Sequence, residues 1–506
     1  MAAKNIGKNS FFSIFTQILI ILAGFFCQRV INVRLGTELV GLNGVVSNVI
    51  AVFSVTELGL STAIVFHLYR ALAEKNEKKI ASLMNLYRKA YMAVAAVIAL
   101  LGMAFLPFVH LFMKENHFEV SYIRLVYALW LIKTIFGYLL SYKRSLVIAD
   151  QKEYVASLTA MMISILHYLS IIVIVLCFNN YVWALCLSII FEGMINLGLM
   201  AYVDKTYPFL KTYRRLRVDQ GLVSSVFADL KNLFVTRIAQ KLLTCTDNLI
   251  MSSFINLTIV GFYSNYCLIT QSLINVLQAL SNALQPTVGS LIVEGKRERD
   301  QELLNVLTYV FFFLSAIVLC GVTGMASLFV GRIWLGEEYL LPQPTVFFCG
   351  INTMMYVMVL PISVFVSVSG LFQYEKKVAM TAAITNLVLS LALVKPLGIN
   401  GVLFGTFAAY VILLVGKTIG FHGLYLKKSM AGYLIKVTAY LILAALEAIC
   451  CCMLVGKICG EFSLISFLLA GVVCVAIPAG CNVLIFFKGK TFGDMWTFLQ
   501  KYRGKK

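Results

Sequence analysis

Runs of twenty or more apolar residues recur along the whole chain, separated by short tracts that carry most of its charge. Each run is long enough to cross about 30 Å of hydrocarbon as a helix. In lipid every backbone polar group has to be satisfied inside the protein, which leaves helices or a closed barrel, and the alternating strands of roughly ten residues that a barrel needs are missing. The chain is 60% hydrophobic and only 13% charged, where a soluble domain carries roughly a quarter charged residues. The first run, from Ser10 to Val33, is too long for the apolar core of a cleavable leader and lacks a small-residue cleavage site. An all-α polytopic membrane protein follows.

Fourteen spans are expected, over 10–33, 42–66, 90–113, 122–142, 156–178, 181–202, 232–254, 259–284, 304–330, 344–370, 378–394, 399–421, 431–456 and 463–487. The formal charge of +19 would suit a nucleic-acid binder if it were spread over one surface. Instead it alternates. Arg70, Lys75, Lys78, Lys79, Arg214, Arg215, Arg217, Lys296, Arg297, Lys505 and Lys506 fall on one side of the membrane, and only Arg34, Lys114, Arg124, Arg332, Lys395 and Lys457 on the other. Positive loops stay in the cytoplasm, so both termini are placed there and no nucleic-acid partner is needed. The 13 cysteines lie almost wholly within apolar runs, without metal spacing, and read as small hydrophobes.

Shifted against itself by 220 to 222 residues, the sequence brings its first six spans onto the next six. Val40 and Gly41 meet Val260 and Gly261, Glu74 meets Glu294, Leu83 and Asn85 meet Leu303 and Asn305, and Gln151 and Glu153 meet Gln373 and Glu375. Loops and basic tracts fall into step with these identities. Because six is even, both copies enter the membrane in one direction, and a pseudo-twofold axis along the membrane normal is expected. The expected plan is two six-helix lobes around a central cavity: an N-lobe at 1–203, a basic linker at 204–228 and a C-lobe at 229–424. Two extra helices and a basic tail at 425–506 lie outside the repeat.

The five histidines have no ligand spacing, and neither a phosphate-binding loop nor a nucleophile elbow appears. No cofactor or metal is expected, and the short loops argue against an enzyme site. What carries information is the set of ionisable residues inside apolar helices, each costing several kcal/mol unless it meets protein, water or a partner. The first span holds Gln28, Arg29 and Asn32; the seventh, its repeat mate, holds Arg237, Lys241 and Asp247. Arg29 and Asn32 are three apart, Arg237 and Lys241 four apart, so each pair shares a helix face. Cations at corresponding depths in the two lobes would make a cavity electropositive. A guanidinium binds two phosphate oxygens at once, so Arg29, Asn32, Arg237, Lys241 and Gln28 are the candidate binding residues for a phosphate-bearing substrate, with Lys133 a weaker one. Internal pairing or snorkelling is the competing reading. Glu57, Glu192 and Asp247 are candidates for ion coupling, or else static counter-ions, whereas Glu447 reads as structural. Pro286 and Pro361 would kink their spans.

At these residues the chain resembles the polysaccharide transporter family, the O-antigen and teichoic-acid export flippases of the multidrug/oligosaccharidyl-lipid/polysaccharide exporter superfamily. Three stretches carry the resemblance: VGLNGVVSNVIAVFSVTELGLSTAI at 40–64, SYKRSLVIADQKEY at 141–154 and TDNLIMSSFINLTIVGFYSNY at 246–266. The resemblance implies a fourteen-helix, two-lobe carrier in the bacterial cytoplasmic membrane, working by alternating access. Its cargo would be an undecaprenyl-diphosphate-linked oligosaccharide whose lipid tail stays in the bilayer, with a coupling cation or proton. Arg29 and Arg237 would match the cationic positions that meet the diphosphate. A cation-coupled multidrug exporter of the same superfamily and a membrane glycosyltransferase or polymerase are the alternatives.

Overall fold

The computed structural model describes residues 2–54, 68–69, 71–72, 74–114, 117–150, 152–213, 238–460, 462–487, 489 and 493. These form helices without strands. We number the long ones α1 Ala2–Leu35, α2 Thr37–Phe53, α3 Glu77–Phe105, α4 Val120–Ser141, α5 Glu153–Phe178 and α6 Tyr181–Thr206. The helix over 238–254 is α7. There follow α8 Leu257–Val293, α9 Arg297–Leu328, α10 Gln343–Val368, α11 Phe372–Leu397, α12 Ile399–Gly420, α13 Ala431–Ile458 and α14 Leu464–Phe486. Among the described residues twelve helices are long and apolar enough to cross a membrane. The other two, α2 and α7, stand at the second and seventh expected spans and adjoin residues outside the described set.

The chain forms two compact units, Met1–Gly261 and Phe262–Lys506. The boundary between them lies within the first turns of α8. In the first unit α3 packs on α4, α4 on α6, α5 on α6, and α1 along α5. In the second, the pairings α9 with α10, α10 with α12 and α11 with α12 repeat that scheme, and α13 and α14 lie against α9. The extra pair changes what is buried. The apolar window of α9 is 67% buried, that of its counterpart α3 only 28%. Where α9, α13 and α14 meet, Phe312 stacks on Tyr440 at 4.2 Å with Phe486 edge-on to Tyr440 at 5.4 Å; such pairs add about 1 kcal/mol beyond the area they bury.

Local structure recurs at the sequence offset. Helices α2 and α8 begin 220 residues apart, at Thr37 and Leu257, and so do α3 and α9, at Glu77 and Arg297. The turns before α3 and α9 each contain one residue in the left-handed region, Lys75 (φ 49°) and Gly295 (φ 70°). Across these turns Glu74 pairs with Lys79 at 2.9 Å and Glu294 with Arg299 at 2.7 Å. Gly41 and Gly261 sit at a reciprocal crossing: a Cβ on Gly41 would fall 2.2 Å from the Leu257 carbonyl oxygen, and one on Gly261 would fall 2.2 Å from that of Thr37. Only glycine lets the two backbones come so close.

All thirteen cysteines are free, but Cys177 and Cys450 are exposed rather than buried. Many large apolar side chains, among them Leu100, Ile190 and Leu484, are likewise exposed, as lipid-facing positions would be.

Candidate functional site

Helix α1 crosses as Phe15–Leu35 and carries the first group of candidates. Arg29 is exposed and Gln28 half-buried, whereas Asn32 is 2% exposed and donates from Nδ2 to the Gln28 carbonyl at 2.8 Å. The expected common face is thus divided: Asn32 turns into the bundle and Arg29 outward. On α7, Lys241 is half-buried and Asp247 buried. Arg237 and Glu57 lie outside the described residues. Pro361 is buried within α10.

A polar cluster inside the first unit involves residues that sequence spacing did not connect. Lys133 on α4, His167 on α5 and Glu192 on α6 converge near mid-span, each roughly 10–20 Å along its helix axis from either end at 1.5 Å per residue. Lys133 Nζ lies 3.1 Å from His167 Nδ1 and 3.9 Å from Glu192 Oε2, and it sits 5.0 Å from the centre of the Trp130 ring. An ammonium group can only donate, so Nδ1 accepts and His167 is the neutral Nε2–H tautomer. At 3.9 Å the Glu192 contact is Coulombic rather than a hydrogen bond. Glu192 Oε2 is buried and, among the described residues, has no hydrogen-bond partner. Gly137, one turn past Lys133, makes room for the carboxylate: a Cβ there would stand 3.1 Å from Glu192 Oε1. The neighbouring Asn43 on α2 accepts from Trp130 Nε1 at 3.2 Å and from the Tyr181 hydroxyl at 2.7 Å, tying α2, α4 and α6 together.

The second unit has its own intramembrane cation, Lys417 on α12. It donates to Glu375 Oε1 at 2.7 Å and to the Ser363 hydroxyl at 2.8 Å, and its side chain is 5% exposed. Glu447 on α13 accepts from Asn482 Nδ2 on α14 at 3.1 Å, in keeping with a structural role.

Two further groups lie beyond the spans. The Glu38 carboxylate accepts from the backbone N–H of His117 at 3.2 Å and from the Thr258 hydroxyl at 3.4 Å, and its Oε1 lies 2.7 Å from His117 Nδ1. At the other end Tyr207 donates to Asp150 at 2.6 Å, and Lys152 lies 2.7 Å from the same carboxylate. Burial, helped by the bond to Asp150, pushes the Tyr207 hydroxyl up to about 12. Burial pulls Lys152 down, but the bonds to Asp150 and Tyr207 outweigh it and hold the ammonium above its ordinary range.

The family model described as "Polysaccharide biosynthesis protein" matches residues 6–292, more than half of the chain. The chain belongs to that family. No curated protein matches it at the sequence level. Among solved structures, this member of the family is similar to the lipid II flippase MurJ in an inward closed conformation. The TM-score is 0.65 at 14% identity, over 94% of this chain and 98% of that one. It is also similar to an inward-facing multidrug resistance MATE family transporter of the MOP superfamily, with TM-score 0.61 and 13% identity over 82% of this chain and 96% of that one. A Vibrio cholerae MATE transporter gives 0.59 and 13%, over 85% and 98%. At such identities the likeness shows the fold, that of the MurJ and MATE transporters.

Proposed function

We propose that this chain is a flippase that carries undecaprenyl-diphosphate-linked oligosaccharides across the bacterial cytoplasmic membrane by alternating access, for cell-surface polysaccharide assembly. The observation that carries the reading is the match to a polysaccharide biosynthesis family over residues 6–292 in a chain with a transporter's fold. Both termini are cytoplasmic in this reading, and the protein performs no covalent chemistry. Arg29, exposed on an apolar helix, and Lys241, half-exposed on α7, are the described cations offered to a diphosphate, with Arg237 the third. A guanidinium left in lipid without a partner is costly, whereas one meeting a dianionic headgroup is paired. Asn32 and Gln28 shape the same stretch of α1. Glu57, Asp247 and Glu192 are the carboxylates available to couple an ion gradient to transport.

The test is reconstitution into proteoliposomes with a fluorescent undecaprenyl-diphosphate oligosaccharide, reading the exposure of its sugar to an impermeant quencher. Protein-dependent turnover is expected, and Arg29→Ala should reduce it at least tenfold while membrane insertion is unchanged. The MATE likeness supports a second reading, a multidrug exporter. In that case cationic dyes would be moved and the lipid-linked sugar would not.

A further inference from the structure

The cluster on α4, α5 and α6 contains a carboxylate that is only half neutralised. Glu192 Oε2 is buried without a hydrogen bond, and Lys133, the described cation in ion contact with it, stops at 3.9 Å. Two groups hold Lys133 back: His167 Nδ1 accepts from its ammonium at 3.1 Å, and the Trp130 ring lies 5.0 Å away. Of the other titratable groups on these helices, Cys27 on α1 faces Lys133, and Tyr168 on α5 and Tyr181 on α6 surround Cys27; none of these three is a cation, and Tyr181 already donates to Asn43. The cations elsewhere on the same helices, Arg29 and Arg34 on α1, Arg124 on α4 and Lys205 on α6, make no described ion contact with Glu192. At 3.9 Å, Lys133 Nζ needs to move only about 1 Å to come within hydrogen-bond distance of Glu192 Oε2.

We infer that Glu192 is a proton-binding site whose affinity is set by Lys133, which lies either against His167 or against Glu192. With Lys133 on His167, as here, the carboxylate has no donor and sits in a low-dielectric bundle, so the neutral acid is favoured and the site loads. When Lys133 moves onto Glu192, a charge-assisted bond favours the carboxylate and the proton is released to water. Lys133 and His167 are positioning residues; Glu192 is the group that binds. Because the two positions of Lys133 tie α4 to different helices, proton binding and helix arrangement bias one another, and by linkage each shifts the other equally. The side chains of Lys133 and Glu192 are 14% and 17% exposed, so neither is sealed inside the bundle. The inference rests on the transporter reading for its purpose, as the site that makes a proton the coupling ion, but not for its test.

The test is infrared difference spectroscopy of the purified full-length chain during a pH titration, following the carbonyl band of a protonated carboxyl that Glu192→Gln removes. Three results are expected. Wild type shows a band that titrates and is lost in Glu192→Gln. His167→Gln, which weakens the hold on Lys133 and frees it to pair with Glu192, shifts the midpoint downward by at least about one pH unit, a tenfold change in proton affinity. Lys133→Met, which removes the cation, shifts it upward. A static structural role predicts no such opposed shifts. The inference is overturned if Glu192→Gln leaves the carboxyl bands unchanged, or if His167→Gln and Lys133→Met move the midpoint in the same direction or not at all. Should Lys133→Met fail to fold, the sign of the His167→Gln shift decides alone. The measurement uses no cargo, so a titrating Glu192 in a protein that does not move lipid-linked sugar would sink the flippase reading and leave the proton site standing.

Discussion

Lys133 in the first unit and Lys417 in the second are both intramembrane lysines facing a glutamate, and they are held in opposite ways. Lys417 makes two short hydrogen bonds, to Glu375 and Ser363, and is buried. Lys133 gives its described bond to a neutral imidazole and stands 3.9 Å from its carboxylate. A buried pair that is fully bonded is fixed in place, since parting it strands a charge in low dielectric. A pair held apart by a third group has an alternative partner within reach, and that is what a switch requires. The two units share helix pairings and turn geometry, and differ in how the buried lysine is held.

The largest effect expected from this contrast is in the second unit. Glu375→Ala should destabilise the protein by about 3–5 kcal/mol, because Lys417 would stay buried without its counter-charge. The double change Glu375→Met with Lys417→Met should recover most of that loss. Chemical unfolding in detergent checks both, and a single Glu375→Ala that costs nothing would erase the distinction. Next come the reciprocal glycines: Gly41→Ala and Gly261→Ala should each cost about 1–3 kcal/mol through overpacking, and by similar amounts, since both meet a carbonyl oxygen at 2.2 Å. Thermal unfolding midpoints of the two variants, compared side by side, would expose any asymmetry.

Glu192→Gln should cost no more than about 1 kcal/mol, as the carboxylate makes only a loose ion contact. The same unfolding assay checks it, and a loss as large as that from Glu375→Ala would make the two lysines equivalent. The smallest effect is at high pH, at Asp150, Lys152 and Tyr207. Both raised groups hold their protons more tightly in the folded state. Their contribution is therefore fully present below the ordinary lysine and tyrosine range, about pH 10, and fades as pH rises through about 12, the Tyr207 value. Amide exchange over 144–155 should quicken across that window, and Tyr207→Phe should weaken the rise.

Hydropathy was enough to read the fold class because lipid imposes one demand on every segment, an apolar run of sufficient length with its own hydrogen bonds met. The repeat was legible for a related reason. A turn that needs a left-handed residue at 75 and at 295, or a crossing that tolerates no Cβ at 41 and 261, writes local constraints into the chain at a fixed spacing. Helical periodicity put Arg29 and Asn32 on one face, yet it could not say that packing against α5 would bury one and leave the other outside. Nor could it join Lys133, His167 and Glu192.

By itself, then, the sequence determined that this is a helical membrane protein built from an internal repeat, with cations in helices that lipid would reject. The tertiary structure alone decided which of those charges meet and at what distance. A residue's own helix sets its depth, through rise per residue, but its partner is chosen by the neighbouring helix and by the size of the side chains between them. Gly137, leaving room for Glu192, and His167, holding Lys133 off it, act across helices that lie 30 or more residues apart in the chain.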